Sequence, residues 1–266
     1  MLEKQRHQLF LDLLDELEFA SVPQLSAHLK SSEATIRRDI NKLAAQNLIK
    51  KIRGGAQALE QNGKKNKRHH LKGSAFLVDK EVQTDAKRLI AKKAVELCAE
   101  DESIIINGGS STYMMSEFLM ERQMTILTNS FYLANELAIN SDNLVTVPGG
   151  ELYRKQGIIL SSFENDPIEH YHATKMFMGT PGISRFGVME SDTLLIRAEQ
   201  KLRKQADSLI ILADATKVGA RSNFIFTQLE NVDVLITDSQ ADEKVLTELS
   251  REGVEIVIAD EESVSN

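Results

Sequence analysis

Residues 32–43 contain the side chains that are best suited to reading DNA. At 3.6 residues per turn, Ile36, Ile40 and Leu43 lie on one face of a helix, and that face must be buried. The opposite face carries three cations, an amide and a small side chain, groups that contact phosphates and base edges. A solvated amphipathic helix would show the same pattern. We predict that this helix enters a DNA groove, with a contact surface formed by Ser32, Ala34, Thr35, Arg37, Arg38, Asn41 and Lys42.

Two further helices are predicted to position this one. Residues 3–17 have leucines and Phe10 at helical spacing, and residues 21–29 form a short helix with Pro23 in its first turn. Two short helices joined by a tight turn form a helix-turn-helix. A glycine is usual in that turn, so Lys30 or Ser31 must adopt a positive φ or the turn must have another shape.

A charged hairpin is predicted to follow the helix. Apolar and basic residues alternate over residues 48–53 and run into Gly54 and Gly55, which is typical of a small hairpin with its turn nearby. The hairpin would form a wing that lays Lys50, Lys51 and Arg53 along a phosphate backbone. A solvated charged hairpin with no partner is the alternative.

The charge distribution separates a basic head from an acidic body. The net charge of the 266 residues is −7. Residues 1–75 contain 14 Lys and Arg against 8 Asp and Glu, a net charge of +6, whereas residues 76–266 contain 18 against 31, a net charge of −13. This asymmetry favours nucleic-acid binding by the head alone.

Other features of the composition concern the cellular location. With a single cysteine, Cys98, no internal disulfide can form, and this fits a reducing cytoplasm. No long apolar run or signal-peptide pattern occurs, so we expect a cytoplasmic protein without a membrane association.

The N-terminal motifs together resemble a known family. The order helix, helix, Ala34-Thr35-Ile36-Arg37-Arg38-Asp39, and then Ile52-Arg53-Gly54-Gly55-Ala56 is similar to the winged helix-turn-helix of the DeoR family of bacterial sugar-metabolism repressors. The resemblance continues over most of the chain. We assign residues 1–58 to this DNA-binding domain.

The body is predicted to be an α/β domain with a mostly parallel sheet. A polar, basic linker over residues 59–75 precedes it, and its His69-His70 pair lacks the companions that a metal site needs. Residues 76–266 then alternate helices with short apolar strands that end in Gly, Ser, Thr, Asn or Asp. The predicted strands cover residues 103–106, 124–127, 144–147, 175–178, 209–212, 232–236 and 254–258.

The strand ends are the predicted ligand site, because ligands of such sheets bind at the carboxyl ends of the strands. A strand that leads through two glycines into a helix presents free backbone amides, which suit a phosphate. Hydroxyl groups and a loop lysine could add donors and charge, although an ordinary strand-to-helix turn and a solvated lysine are the alternatives. The predicted effector-binding residues are Asn107, Gly108, Gly109, Ser110, Ser111, Thr112, Gly149, Gly150 and Lys217.

The family resemblance supports this predicted site, and this chain differs from many members at one position of it. It implies a sensor domain related in fold to ribose-5-phosphate isomerase, with a phosphate loop at Asn107–Thr112 and a typical lysine at Lys217. Many members have Asp where this chain has Asn107. A carboxylate about 4 Å from a phosphate would repel it by about 4 kcal/mol at an effective dielectric constant near 20. An amide removes that repulsion and also removes a base.

Further segments resemble the members of the family that control L-ascorbate utilisation. These segments are 5–8, 37–43, the loop that begins at Ile106, 128–129, 133–135 and 198–201. The resemblance implies a homo-oligomeric (dimeric or tetrameric) repressor that binds operator DNA and is released by a sugar-phosphate effector, L-ascorbate 6-phosphate. We expect neither a cofactor nor a metal.

Two other functions are compatible with the same sequence features. An isomerase-like enzyme with a nucleic-acid-binding head is possible, and Glu199, near Lys201, would then be the candidate base. A winged helix could also serve an RNA-binding adaptor. Residues 1–58 contain only Phe10 and Phe19 as aromatic side chains, and no stacking motif supports that function.

Overall fold

The computed structural model describes residues 6, 7, 9–11, 13, 14, 19–29, 31–46, 48–58, 76, 82–161 and 167–260. They divide into two compact units, Met1–Val82 and Gln83–Asn266. The domain boundaries expected at residues 58 and 76 stay predictions. The whole predicted linker, residues 59–75 with His69 and His70, lies outside the described residues.

The N-terminal unit contains the predicted helices. The described residues between 6 and 14 are helical, and α1 (Val22–His28) and α2 (Glu33–Ala45) follow. Ser21 begins α1 through a reciprocal pair: its hydroxyl accepts from Gln24 N, and its own N–H donates to the Gln24 side chain. Ser32 caps α2 by accepting from Thr35 N at 3.3 Å.

The turn between these helices is held by serine hydroxyls. Ser31 does not adopt a positive φ, and Lys30 lies outside the described residues. Ser26 Oγ donates to the carbonyl of Ser31 at 2.6 Å, and Ser31 Oγ donates to the carbonyl of Leu29 at 3.0 Å. Ser31 therefore does not supply the positive φ, and the two remaining possibilities, a positive φ at Lys30 or a turn of another shape, stay predictions.

The predicted wing is part of a three-stranded sheet. Strands β1 (Phe19–Ser21), β2 (Ile49–Ile52) and β3 (Gly55–Ala58) are antiparallel in the order β1-β3-β2. Gly54 forms the tip with a φ of +81°, which favours glycine. A Cβ on Gly55 would lie 2.2 Å from the carbonyl oxygen of Ala20, so this glycine permits β1, which the sequence analysis did not predict, to pair with β3.

The core of this unit has an ion pair at its edge. Ile36, Ile40 and Leu43 are buried as predicted. Asp39, on the same side of α2, is only 2% exposed, and its carboxylate accepts from Arg6 Nε at 2.6 Å and pairs with His7 Nε2 at 2.8 Å. These contacts tie the first helical segment to α2, because a buried carboxylate needs compensating partners.

The C-terminal unit contains twelve strands and six helices among the described residues. The strands are β4 (Ser103–Ile106), β5 (Thr125–Thr128), β6 (Leu144–Thr146), β7 (Glu151–Tyr153), β8 (Ile158–Leu160), β9 (Ala173–Gly179), β10 (Gly182–Ser184), β11 (Gly187–Glu190), β12 (Ala206–Leu212), β13 (Phe224–Thr227), β14 (Val234–Asp238) and β15 (Glu255–Ala259). The helices are α3 (Thr84–Glu96), α4 (Ser110–Tyr113), α5 (Ser116–Leu119), α6 (Phe131–Asn140), α7 (Thr193–Arg203) and α8 (Glu243–Arg251).

Seven strands form one parallel sheet in the order β15-β14-β12-β9-β4-β5-β6. All seven correspond to predicted strands. From β4 the chain adds β5 and β6 on one side, and it then returns to place β9 on the other side of β4. The order of the strands therefore reverses between β4 and β9, which is where ligands bind in open α/β sheets.

The sheet is covered on both faces, which explains its continuous apolar strands. Ile104 and Ile106 pack against α3, α5 and α6, whereas Ile105 packs on the other face with residues of α7, α8 and a small sheet. No helix among the described residues is long and apolar enough to cross a membrane.

Two small antiparallel sheets were not predicted. The hairpin β7-β8 and the sheet β10-β11-β13 consist of strands of three or four residues. The pairing of these strands joins segments that no local pattern brings together, so it depends on tertiary contacts.

The Asp39 ion pair leads to a prediction about stability. Burial alone would raise the pKa of Asp39, but hydrogen bonds and charges from Arg6 and His7 lower this pKa below its ordinary value. A lowered pKa contributes stability above pH 4 that is lost as the pH falls through the folded-state value. We expect Asp39→Asn to cost about 2 kcal/mol at pH 7 and progressively less below pH 4.

Urea unfolding of the full chain, followed by circular dichroism at pH 7 and pH 3.5, measures this difference. Asp207→Asn is the matched control, because Asp207 pairs with His172 at 3.5 Å while both side chains are more than 60% exposed. The control should change stability by at most a few tenths of a kcal/mol. Equal losses for the two variants at pH 7 would contradict the structural role of Asp39.

Candidate functional site

The outer face of α2 presents the predicted DNA-contacting side chains to solvent. Ser32, Ala34, Arg37, Arg38, Asn41 and Lys42 are exposed. Thr35 is half-buried, and its hydroxyl lies 2.9 Å from the Ser32 hydroxyl, so these two residues hold the start of the helix. The face can therefore offer cations and one amide to a nucleic acid.

Two of these groups are paired within the described structure. Arg37 Nη2 lies 3.1 Å from Glu33 Oε2, and both side chains are at least half exposed. Lys51 Nζ donates to Asn41 Oδ1 at 2.8 Å and so connects the wing to α2. Exposed pairs contribute little free energy, so both can exchange for phosphates or base edges at small cost.

The wing places its basic residues next to this face. Lys50 and Lys51 lie on β2, Arg53 lies in the tip of the hairpin, and all three are exposed. Together with Arg38 and Lys42 they form a cationic surface. Such a surface binds phosphates by releasing counterions, which makes affinity depend on salt.

The predicted effector site centres on Asn107, which follows β4. Asn107 is 1% exposed, its Oδ1 accepts from Gly179 N at 3.1 Å, and its Nδ2 donates to Glu199 Oε1 at 3.0 Å. Because Gly179 ends β9, this side chain bridges the two strands at which the strand order reverses. Asn107 thus connects β4 to β9 and α7, and both the oxygen and the nitrogen of its side-chain amide are hydrogen-bonded.

Some of the hydrogen-bonding groups in the loop after Asn107 are already paired within the protein. Gly108 N donates to Asn129 Oδ1 at 2.8 Å, and the Thr112 hydroxyl donates to the carbonyls of Asn107 and Gly109. The expectation that Thr112 offers a hydroxyl to a phosphate is wrong, because this side chain is buried and its hydrogen is engaged. Within the described residues, the amides of Ser110 and Ser111 have no acceptor, as expected for the first turn of a helix.

The hairpin β7-β8 packs against this loop. Ile159 N donates to the carbonyl of Asn129 at 2.8 Å, and a Cβ on Gly108 would lie 2.6 Å from Ile158 Cγ1. A Cβ on Gly150 would lie 2.2 Å from the carbonyl oxygen of Leu160, so Gly150 is required for the start of the hairpin. Gly149 is exposed and has open space beside it.

Lys217 lies at the end of a turn that two carboxylates hold. Asp214 Oδ1 accepts from Thr216 N at 3.0 Å, and Asp238 Oδ2 accepts from Ala215 N at 2.7 Å. Lys217 N donates to the carbonyl of Asp214 at 2.8 Å. Because β12 and β4 are two strand spacings apart, their carboxyl ends are separated by about 10 Å. Lys217 thus follows a strand whose carboxyl end lies at the same edge of the sheet as the loop of residues 107–112.

Two buried carboxyl groups lie beside Asn107. Burial raises the pKa of Glu199 well above its ordinary value, and the nearby Glu190 raises it further against the lowering effect of Asn107. Burial also raises the pKa of Glu190, although hydrogen bonds from Ser191 oppose this change. These effects favour the neutral form of Glu199. No group of three or more His, Cys, Asp or Glu side chains that could hold a metal occurs among the described residues.

The sequence analysis named Glu199 only as the candidate base of an alternative enzyme, and it did not include Asn129 or Gly179 in the effector site. Asn129 follows β5, Gly179 ends β9, and Glu199 lies on α7, and all three contact the Asn107-Gly108 dipeptide. The polar ends of adjacent parallel strands could have indicated Asn129, because neighbouring strand ends meet at one edge. The contact between Glu199 and Asn107 depends on how α7 packs, and no local pattern indicates it.

Comparisons with known proteins agree over almost the whole chain. A family model for the DeoR C terminal sensor domain matches residues 82–239, and one for the DeoR-like helix-turn-helix domain matches residues 6–62. The HTH-type transcriptional regulator UlaR of Shigella flexneri serotype 5b (strain 8401) is 33% identical over 257 residues, 97% of this chain and 99% of that protein. UlaR of Escherichia coli O9:H4 (strain HS) has the same identity and coverage.

Similarity to solved structures is weaker. Ribose 5-phosphate isomerase A from Methanocaldococcus jannaschii aligns with 50% of this chain and 54% of its own, at 15% identity and a TM-score of 0.39. The translation factor eIF2B delta from Chaetomium thermophilum aligns with 53% of this chain and 52% of its own, at 13% identity and a TM-score of 0.37. This chain spans about half the length of both.

The exposed face of α2 gives a prediction about DNA binding. Replacing Arg38 by alanine should weaken specific DNA binding by about 1–3 kcal/mol, roughly 5- to 150-fold, if the guanidinium reads a base. Gel shifts of the full chain on fragments of its own promoter region, at several salt concentrations, measure the effect. A loss that is equal on unrelated DNA and reduces the salt slope would instead indicate a phosphate contact.

The control is Arg197→Ala, which removes an exposed helical arginine from the C-terminal unit. We expect this variant to bind DNA as the unmodified chain does. If Arg38→Ala has no effect on affinity, α2 is not the helix that contacts DNA.

Proposed function

This chain belongs to the DeoR family of helix-turn-helix transcriptional regulators with a C-terminal sensor domain, and we propose that it represses an operon for L-ascorbate utilisation. Operator DNA would bind the N-terminal unit, and L-ascorbate 6-phosphate would bind the C-terminal unit and release the operator. As a regulator of chromosomal DNA, the protein would act in the cytoplasm. The choice of effector follows the sequence segments shared with regulators of L-ascorbate utilisation.

The arrangement at the carboxyl ends of β4 and β9 is the observation that carries the effector half of this proposal. The amides of Ser110 and Ser111 offer hydrogen-bond donors, and we propose that Lys217, which follows β12 at the same edge of the sheet, supplies a positive charge. Charge-assisted hydrogen bonds of this kind are the strong interactions of phosphate sites. Asn107 supports the assignment, because an amide in this position carries no charge that would repel the phosphate.

The same residues favour a sensor over an isomerase. Proton-transfer catalysis needs a base within hydrogen-bond reach of the substrate. Asn107 cannot act as a base, and burial raises the pKa of Glu199 well above its ordinary value, which favours the protonated acid. We propose that the protein binds its sugar phosphate without turning it over. Measurable turnover would favour the alternative, an isomerase-like enzyme with a DNA-binding head.

Coupling between effector and DNA requires different effector affinities in the free and the DNA-bound states. A homo-oligomer, either a dimer or a tetramer, would present two or more heads to a repeated or pseudo-symmetric operator, which is the usual solution for such readers. We propose that the C-terminal units hold this assembly together.

Removing the positive charge of Lys217 tests the effector site. Lys217→Ala should weaken binding of L-ascorbate 6-phosphate at least tenfold and leave operator affinity unchanged, because the loss concerns only the phosphate contact. Titration calorimetry with the full chain measures the first quantity, and gel shifts measure the second. Unphosphorylated L-ascorbate should bind far more weakly than the phosphate ester.

Lys204→Ala is the matched control, because Lys204 is exposed just before β12 begins, at the opposite edge of the sheet. This variant should bind the effector normally. Equal affinity for L-ascorbate and its 6-phosphate would show that no phosphate site exists in the sensor unit.

The proposed assembly predicts that the full chain sediments as a dimer or tetramer at micromolar concentration. Analytical ultracentrifugation with and without L-ascorbate 6-phosphate measures the mass directly. A monomer under both conditions, at concentrations at which the chain binds its operator, would contradict the proposed assembly.

A further inference from the structure

Two buried polar atoms beside the strand-end site have no hydrogen-bond partner among the described residues. They are Nδ2 of Asn129 and Oε2 of Glu199, and both side chains are only 2% exposed. Buried polar groups in native proteins are almost always paired, so each unpaired atom requires an explanation. Their shared location suggests one explanation for both.

Asn129 has a fixed orientation. Its Oδ1 accepts from Gly108 N at 2.8 Å, and a backbone amide can only donate. The oxygen must therefore face Gly108, and the unpaired atom must be the amide nitrogen. Asn129 consequently offers a hydrogen-bond donor directly beside the loop that begins at Gly108.

The orientation of Glu199 follows from a second pair of contacts. Asn107 Oδ1 accepts from Gly179 N at 3.1 Å, which turns Asn107 Nδ2 towards Glu199 Oε1 at 3.0 Å. Oε1 is thus an acceptor, and in the neutral acid the proton is on Oε2. Burial and the neighbouring Glu190 raise the pKa of Glu199, which favours the neutral acid. Glu199 therefore also offers a donor.

We propose that Asn129 Nδ2 and Glu199 Oε2 bind oxygen atoms of the effector outside its phosphate, the ring, hydroxyl or carbonyl oxygens of its sugar part. The proposal rests on the function proposed above and adds the groups that recognise the sugar. Phosphate contacts at Ser110, Ser111 and Lys217 serve any phosphate ester. The two buried donors distinguish among esters, because an ester without oxygen atoms at this position leaves both donors unpaired.

The test compares two phosphate esters on the full-length chain. Titration calorimetry gives the Kd of L-ascorbate 6-phosphate and of ethyl phosphate, which keeps the phosphate and lacks the hydroxylated ring. In the unmodified chain the sugar phosphate should bind at least 100-fold more tightly. Taking the ratio of the two affinities cancels any effect that a substitution has on the phosphate contacts.

Glu199→Met and Asn129→Asp should each reduce this ratio at least tenfold. Methionine removes the donor at similar volume, whereas aspartate keeps the acceptor for Gly108 N and replaces the Nδ2 donor. Glu199→Gln should keep the ratio within threefold, because the glutamine amide can accept from Asn107 and still donate. A purely structural role for Glu199 would change the melting temperature and leave the ratio as it is.

Asn143→Asp is the control for a buried asparagine outside the site. Asn143 Oδ1 accepts from Met124 N at 2.9 Å, and its Nδ2 donates to the carbonyl of Leu119 at 2.8 Å. This variant should lower the melting temperature without changing the ratio. If Glu199→Met does not fold, the affinity ratios of Asn129→Asp and Glu199→Gln test the proposal.

The possible outcomes separate the two proposals. An unchanged ratio in Glu199→Met and Asn129→Asp overturns the sugar contacts while the phosphate site stands. If ribose 5-phosphate binds and L-ascorbate 6-phosphate does not, the proposed effector is wrong, and the same ratio measured with ribose 5-phosphate tests the sugar contacts. If no sugar phosphate binds at millimolar concentration, both proposals fail.

Discussion

The hydrogen bonds of one buried amide, that of Asn107, hold the centre of the sensor unit together. This side chain joins the end of β9, through Gly179, to Glu199 on α7, and its own backbone continues β4. The ladder between β4 and β9 ends at this point, and the Asn107 side chain continues the connection by bonding Gly179 N. Its hydrogen bonds also fix the orientation of the polar groups around it.

Burying such an amide costs free energy of desolvation unless each of its polar atoms has a hydrogen-bond partner inside the protein. Asn107 uses both ends of its amide, and Asn129 uses one end to hold Gly108. Functional sites commonly keep a few polar groups that the fold alone does not satisfy, and a ligand then supplies the missing partners. The neutral amide of Asn107 bridges a backbone N–H and a carboxyl group, for which it provides one acceptor and one donor.

In the N-terminal unit, the two faces of α2 carry ion pairs of different strength. Its recognition face must remain free to exchange partners, so its pairs are exposed and weak, as between Arg37 and Glu33. The inner face of the same helix carries Asp39, whose pairing with Arg6 and His7 is buried and strong. Exposed pairs can yield to DNA because water screens them, whereas the buried pair holds the helix because it is screened far less.

The sequence by itself determined the elements. Helical spacing predicted α2 and its buried face, serine caps and turn residues predicted its limits, and apolar runs predicted all seven strands of the parallel sheet. These features depend on neighbours along the chain. Only the tertiary structure decided which polar side chains contact each other, as Asp39 does Arg6 and Asn107 does Glu199. It also decided the pairing of strands in the two small antiparallel sheets. The physical reason is that such contacts join residues that are distant in sequence, and their geometry depends on how helices pack on the sheet.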